Sequence, residues 1–114
     1  QRRALVHRVA EVFADVDLLL TPMSARPPFA AEGPMPTEVA GVPGHGGMAV
    51  IHGMLANLAN LPAMSLPAGL TSEGLPVGLQ VVAPRFREDL LLAVAARYEA
   101  ARPWPRLCPR AAAA

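Results

Sequence analysis

Three kinds of side chain in this sequence could do chemistry: two histidines next to glycine, a serine in an apolar strand, and a late cysteine. His45 and His52 stand seven residues apart, about two helical turns, so on one helix they would share a face. No third ligand follows at metal spacing, so no metal is expected. His52, between Ile51 and Gly53 with Met54 beyond, reads as a core or pocket-wall histidine in preference to a catalytic one. Ser65 lacks the G-x-S-x-G elbow that exposes a nucleophile, and its hydroxyl is expected to bond to backbone. Cys108 is the only cysteine, so it forms no internal disulfide, and a proline-rich tail is poor shelter for a reactive thiol. Gly44 to Ala49 fits G-x-G-x-x-A, yet it follows a proline-rich loop instead of a strand. Its glycines are expected to turn a loop into a helix near a pocket, and no nucleotide or other cofactor is expected. All ten basic residues are arginines, which leaves no lysine to act as a neutral amine base.

Periodicity supplies the elements that must position these groups. Leu5, Val9, Val12 and Phe13 form one helical stripe. Val16 to Thr21 is a short apolar run with no polar alternation, predicted as a central strand buried on both faces and stopped by Pro22. Met23 to Gly44 is rich in proline and glycine and predicts a long loop, of the kind that is usually functional. Gly47 to Leu58 predicts a helix apolar on all sides, hence buried on all sides. Met23, Met48 and Met54 could line a soft pocket or simply fill core. Ala63 to Pro67 and Val77 to Ala83 predict two strands of a hairpin, turning through Gly69 to Gly74. Glu88 and Asp89 open a last helix on their favoured side of the macrodipole, and Arg102 with Pro103 closes it. Beyond it an extended tail is anchored, if anywhere, by Trp104, and Ala111 to Ala114 read as a frayed end.

Composition bounds the class. With 114 residues, 53% of them hydrophobic, the chain holds one modest core, either a domain or part of one. A net charge of +1 provides no basic field for nucleic acid. No apolar run nears the roughly 18 residues that span a bilayer, and no signal peptide is read, so no membrane partner is expected and cytoplasm is the default. The chain opens at Gln1 without methionine, as a processed, cropped or engineered start would.

One longer pattern adds to this reading. Asn57, Leu61-Pro62-Ala63, Ser65-Leu66-Pro67-Ala68-Gly69, Gly74-Leu75-Pro76-Val77-Gly78-Leu79-Gln80 and Glu88-Asp89 follow in order, preceded by Asp17-Leu18-Leu19-Leu20-Thr21-Pro22. The run resembles the C-terminal segment of the amidase-signature family, serine amidohydrolases that cleave carboxamides. The resemblance implies an α/β fold with a mixed β-sheet covered by helices, residues 1–114 being the C-terminal part of a single domain. It implies a Ser-cisSer-Lys mechanism giving acid plus ammonia or amine. No lysine is present, so the catalytic residues are expected outside this chain, in an N-terminal catalytic part of the same enzyme.

Met23, His52 and Asn57 are the expected substrate-binding residues, near one concave surface beyond the Thr21-Pro22 strand end, for a small-molecule amide. Asn57 could instead simply cap or brace the turn before Leu61-Pro62. Asn60 stands where the family usually has glycine, and asparagine tolerates positive φ best among the other residues. Val50 stands where the A subunits of glutamine-dependent tRNA amidotransferases tend to carry an acid, which favours a less polar amide. The rival readings are a non-catalytic packing module and such an amidotransferase component. A two-face apolar strand and an all-apolar helix need more cover than this chain provides, which predicts association, for example as a homo-oligomer, or a large apolar patch.

Overall fold

The computed structural model describes residues 1–104, except the side chain of Met48. The expectations for Met48 as a pocket residue, for Cys108, for the tail past Trp104 and for the terminal alanines lie outside the described residues. The chain runs α1 (Arg2–Asp15), β1 (Leu19–Pro22), β2 (Glu38–Val39), β3 (Val42–Pro43), a 3-10 turn (Gly46–Val50), α2 (Ile51–Ala59), β4 (Ala63–Leu70), β5 (Pro76–Val82) and α3 (Glu88–Ala101). The α/β class expected from the sequence is the class observed.

The main sheet has the order β1-β5-β4, and both pairings are antiparallel. Leu66 on β4, Val81 and Ala83 on or just past β5, and Leu91 on α3 make the buried core of one face. Leu91 is 3% exposed, and Met64, Leu79, Ala95, Tyr98 and Trp104 pack around the cluster. The Tyr98 hydroxyl donates to the Pro67 carbonyl at 2.6 Å and ties α3 to β4. The β4–β5 turn is closed by Thr71 and Leu75: Thr71 N–H donates to the Leu75 carbonyl at 2.8 Å, and Thr71 Oγ1 accepts from the Leu75 N–H at 3.1 Å. Gly74 sits there at φ +79, where a Cβ would be strained.

On the opposite face α1 packs against α2. Arg2 joins the start of α1 to the end of α2, donating through Nε to the Leu58 carbonyl and through Nη2 to Asn60 Oδ1, each at 2.8 Å. Asn60 ends α2 in the left-handed region (φ 53, ψ 51), its N–H bonded to the Ala56 carbonyl. Asparagine thus keeps the turn that glycine would make, as the sequence predicts.

Two expectations are corrected. First, β1 is an edge strand in this chain, not a central one: nothing pairs with its outer side among the described residues, and Leu20 is 61% exposed. A four-residue apolar run cannot reveal how many neighbours it has, and Pro22, without an N–H, suits an edge. Second, the predicted helix from Gly47 is a 3-10 turn followed by a short α2, and it is not buried all round. Ala56 and Ala59 are buried, whereas Val50, Ile51, Met54 and Leu58 are exposed. At i, i+3 and i+7, Ile51, Met54 and Leu58 form one uncovered apolar stripe.

The molecule is a slab, 47 × 39 × 19 Å, with a radius of gyration of 16.2 Å. A compact chain of this length would have a radius near about 13 Å. Its accessible surface of 8456 Å² likewise exceeds the roughly 6,000 Å² of a compact monomer of this mass. One helix layer on each face is too thin to bury the apolar groups this sequence carries.

Candidate functional site

The α2 face of the sheet buries a polar side chain beside apolar Val82, where the α3 face is apolar. Side chains alternate along β5, so Val81 points to the α3 core while Gln80 points to the other side. Gln80 is 2% exposed, yet its amide is satisfied: Nε2 donates to Thr21 Oγ1 at 3.2 Å and to the His52 carbonyl at 3.0 Å. One side chain therefore fastens β1 and α2 to β5. A buried amide left without these acceptors would carry its full desolvation penalty.

Two glycines set how closely the layers approach. A Cβ on Gly78 would lie 2.6 Å from Ser65 Oγ and 3.0 Å from Met23 Cβ, so only glycine lets both stand over β5 at this separation. The Met23 N–H donates to the Gly78 carbonyl at 2.8 Å and starts the long loop there. A Cβ on Gly53 would meet Met23 Cε at 3.5 Å and Gln80 Oε1 at 4.0 Å. Met23 and the His52–Gly53 turn of α2 thus share one side of the sheet. His52 Nδ1 is buried and has no hydrogen-bond partner among the described residues.

The long loop is folded, not slack. Ser24 Oγ and the Ala25 N–H both donate to the Ala49 carbonyl, at 2.8 and 3.0 Å, and pin it to the 3-10 turn. Downstream β2 and β3 pair through Ala40 (φ 51) and Gly41 (φ 80), two positive-φ residues as a tight two-residue hairpin demands. Arg26 Nη1 donates to the Glu38 carbonyl and holds this hairpin against the start of the loop.

Between the loop and the start of β5 lies a cleft of about 430 Å³, lined by Pro22 to Phe29 on one side and by Ser65, Pro76, Val77 and Gly78 on the other. That volume suits a small organic ligand. Of the residues expected to bind substrate, Met23 lines it directly and His52 sits behind Met23, across Gly53. Asn57 lies elsewhere: five residues along α2, roughly 140° round the helix from His52, it is exposed. The Asn57 side chain has no hydrogen bond among the described residues; the bracing of the turn before Leu61-Pro62 falls to Asn60, whose Oδ1 holds Arg2.

Sequence reasoning gave no role to Gln80, Gly78, Arg26 or Phe29. A Gln at the one polar position of Val77 to Val82 was the available signal for the first. Ser65 departs from expectation, for its hydroxyl makes no backbone bond among the described residues and faces the cleft. No group of three His, Cys, Asp or Glu among the described residues could hold a metal, and no described helix is long and apolar enough to cross a membrane.

A family profile described as Amidase matches residues 1–92. The chain belongs to the amidase family. It is similar to the A subunit of the glutamyl-tRNA(Gln) amidotransferase of Pseudomonas putida, 37% identical over 108 residues, which cover 95% of this chain and 21% of the relative. Among solved structures it is similar to a bacterial aryl acylamidase of the amidase-signature enzymes, at a TM-score of 0.81 and 31% identity over 90% of this chain and 22% of the other. A 6-aminohexanoate cyclic dimer hydrolase aligns at a TM-score of 0.72 and 32% identity, over 90% of this chain and 23% of the other. This amidase chain spans about a fifth of the length of the relatives it matches. Its fold is a portion of the amidase-signature fold.

Proposed function

We propose that this chain is the C-terminal part of a single amidase domain, not an independent catalytic one, in an enzyme that hydrolyses carboxamides to acid plus ammonia or amine. The observation carrying this reading is the amidase match across residues 1–92, joined to a small-molecule cleft in a sequence without lysine. A Ser-cisSer-Lys relay needs an amine that can lose its proton, which no guanidinium does. The nucleophile, its base and the oxyanion donors then belong to an N-terminal catalytic part of the same polypeptide, the partner of this segment, in a cytoplasmic enzyme. Met23 walls the acyl pocket, His52 supports that wall from α2, and Asn57 faces the incoming part. The exposed stripe of Ile51, Met54 and Leu58 and the open edge of β1 are what that part covers; isolated, the chain self-associates through them.

A second reading has specific support: the curated relatives include the A subunits of tRNA-dependent amidotransferases at 37% identity. Against it stands Val50, apolar and exposed where an acid would meet a substrate ammonium group. One assay separates these readings. The 114-residue chain and the longer product of the same reading frame are incubated with linear aryl and aliphatic amides, with a cyclic amide, and with glutamine. The expected result is no turnover by the chain alone, and hydrolysis of simple amides by the longer product, blocked by a serine-reactive phosphonate. Phosphonate-sensitive turnover by the chain alone would overturn the assignment of catalysis elsewhere. Activity on glutamine alone, and only with an added tRNA-binding partner, would favour the second reading.

A further inference from the structure

Arg26 is the one charged residue among those lining the cleft, whose other walls are Pro22, Met23, Ala25, Pro27, Pro28, Phe29, Pro76 and Val77 with the hydroxyls of Ser24 and Ser65. It is half-buried. Its acceptor is a neutral backbone carbonyl, that of Glu38, which engages Nη1. No carboxylate pairs with it among the described residues. A guanidinium always carries its charge and presents five donors in a planar fork. It shares the cleft with prolines and a phenyl ring and has no carboxylate partner among the described residues, so the donors that the Glu38 carbonyl does not use are left for a ligand. The Glu38 bond fixes the loop, and the loop is fixed to the 3-10 turn through Ala49. Such a group is prepared for an anion that arrives with an apolar body.

We propose that this cleft is the anion-recognising subsite of the amide pocket, in which Arg26 takes the carboxylate of a small carboxylate-bearing amide while Phe29 and the prolines hold its apolar body. The proposal rests on the amidase reading above and names the substrate class for it. Arg26 is a specificity-determining residue with no part in bond cleavage.

The test uses three probes on the 114-residue chain, titrated by calorimetry: 4-acetamidobenzoate, acetanilide, which lacks the carboxylate, and benzoate, which lacks the amide. The expected result is binding of 4-acetamidobenzoate roughly tenfold tighter than acetanilide, the gain of one charge-assisted fork in a half-buried site. Arg26→Gln removes the charge and should erase the preference for 4-acetamidobenzoate over acetanilide. Arg26→Lys should restore part of it, since the charge returns without the fork. Circular dichroism of both variants checks the fold. Equal affinity for the two acetamido probes, absence of saturable binding of 4-acetamidobenzoate, or a preference that survives Arg26→Gln would overturn the proposal. Benzoate binding as tightly as 4-acetamidobenzoate supports the anion subsite and counts against the amide reading, so the two fail separately.

Discussion

The two faces of the β1-β5-β4 sheet are made from one set of strands and do opposite things. On the α3 face Leu66, Val81, Ala83 and Leu91 close a dry cluster, and α3 is long enough to cover it. On the α2 face Gln80 ties Thr21 to a nine-residue helix that leaves its own outer stripe uncovered, and Ser65 faces the cleft. The alternation of β5 assigns each face its side chains, so a single strand serves packing on one side and recognition on the other. The contrast teaches that stability should reside with α3 and ligand geometry with Gln80.

The largest effect should come from Leu91→Ala. Truncating a core leucine at 3% exposure costs about 2–5 kcal/mol in transfer and cavity terms. Urea unfolding should show that loss, and binding in the Arg26 cleft, measured below the new midpoint, should stay as it was. Gln80→Leu should be milder. It leaves the His52 carbonyl and Thr21 hydroxyl without their shared donor, worth about 1–3 kcal/mol. Cleft affinity should fall further than stability, because β1, which leads into Met23, and α2 lose their common anchor. A Gln80→Leu variant as unstable as Leu91→Ala, with ligand binding intact, would erase the distinction between the faces.

The smallest effect belongs to the start of α3. Hydrogen bonding to Arg87 holds the Asp89 carboxyl below its usual value of 3.8. A depressed folded-state value stabilises the fold above the unfolded value, and the contribution disappears as pH falls through the folded one. Asp89→Asn should therefore differ slightly from the parent at neutral pH and converge with it below about pH 4. Both partners are exposed, so added salt should shrink the difference, and unfolding midpoints across pH at two salt concentrations would show it. A difference that grows on acidification would contradict this assignment.

Much of the frame could be read from residue patterns. The α1 stripe, the β4–β5 hairpin with Gly74 at its turn, the acidic start of α3 and the left-handed Asn60 each follow from local chemistry, and local chemistry is what a sequence displays. The edge position of β1 does not, because Leu18 to Thr21 reads alike with one neighbour or two. The uncovered side of α2 is hidden for the same reason: Ile51, Met54 and Leu58 announce burial without naming what buries them. In the cleft, Met23 was legible from its place beyond a strand end. Arg26 was not, since a cation in a proline-rich loop ordinarily points to water. Gln80 belongs to a motif visible in the sequence, but its role depends on Thr21 and His52, which lie far away in the chain.

The bond between Gln80 and Thr21 spans 59 positions, whereas β4 and β5 are joined by a turn of five residues. Closing the short loop costs far less chain entropy than closing the long one, so the expected order of assembly is hairpin first and β1 last. Pulse-labelled hydrogen exchange during refolding would see the amides of Met64 to Leu66 protected ahead of those of Leu19 to Thr21. The cleft, which needs Met23 seated on Gly78, would then be the last part of the molecule to come into being and the first to open.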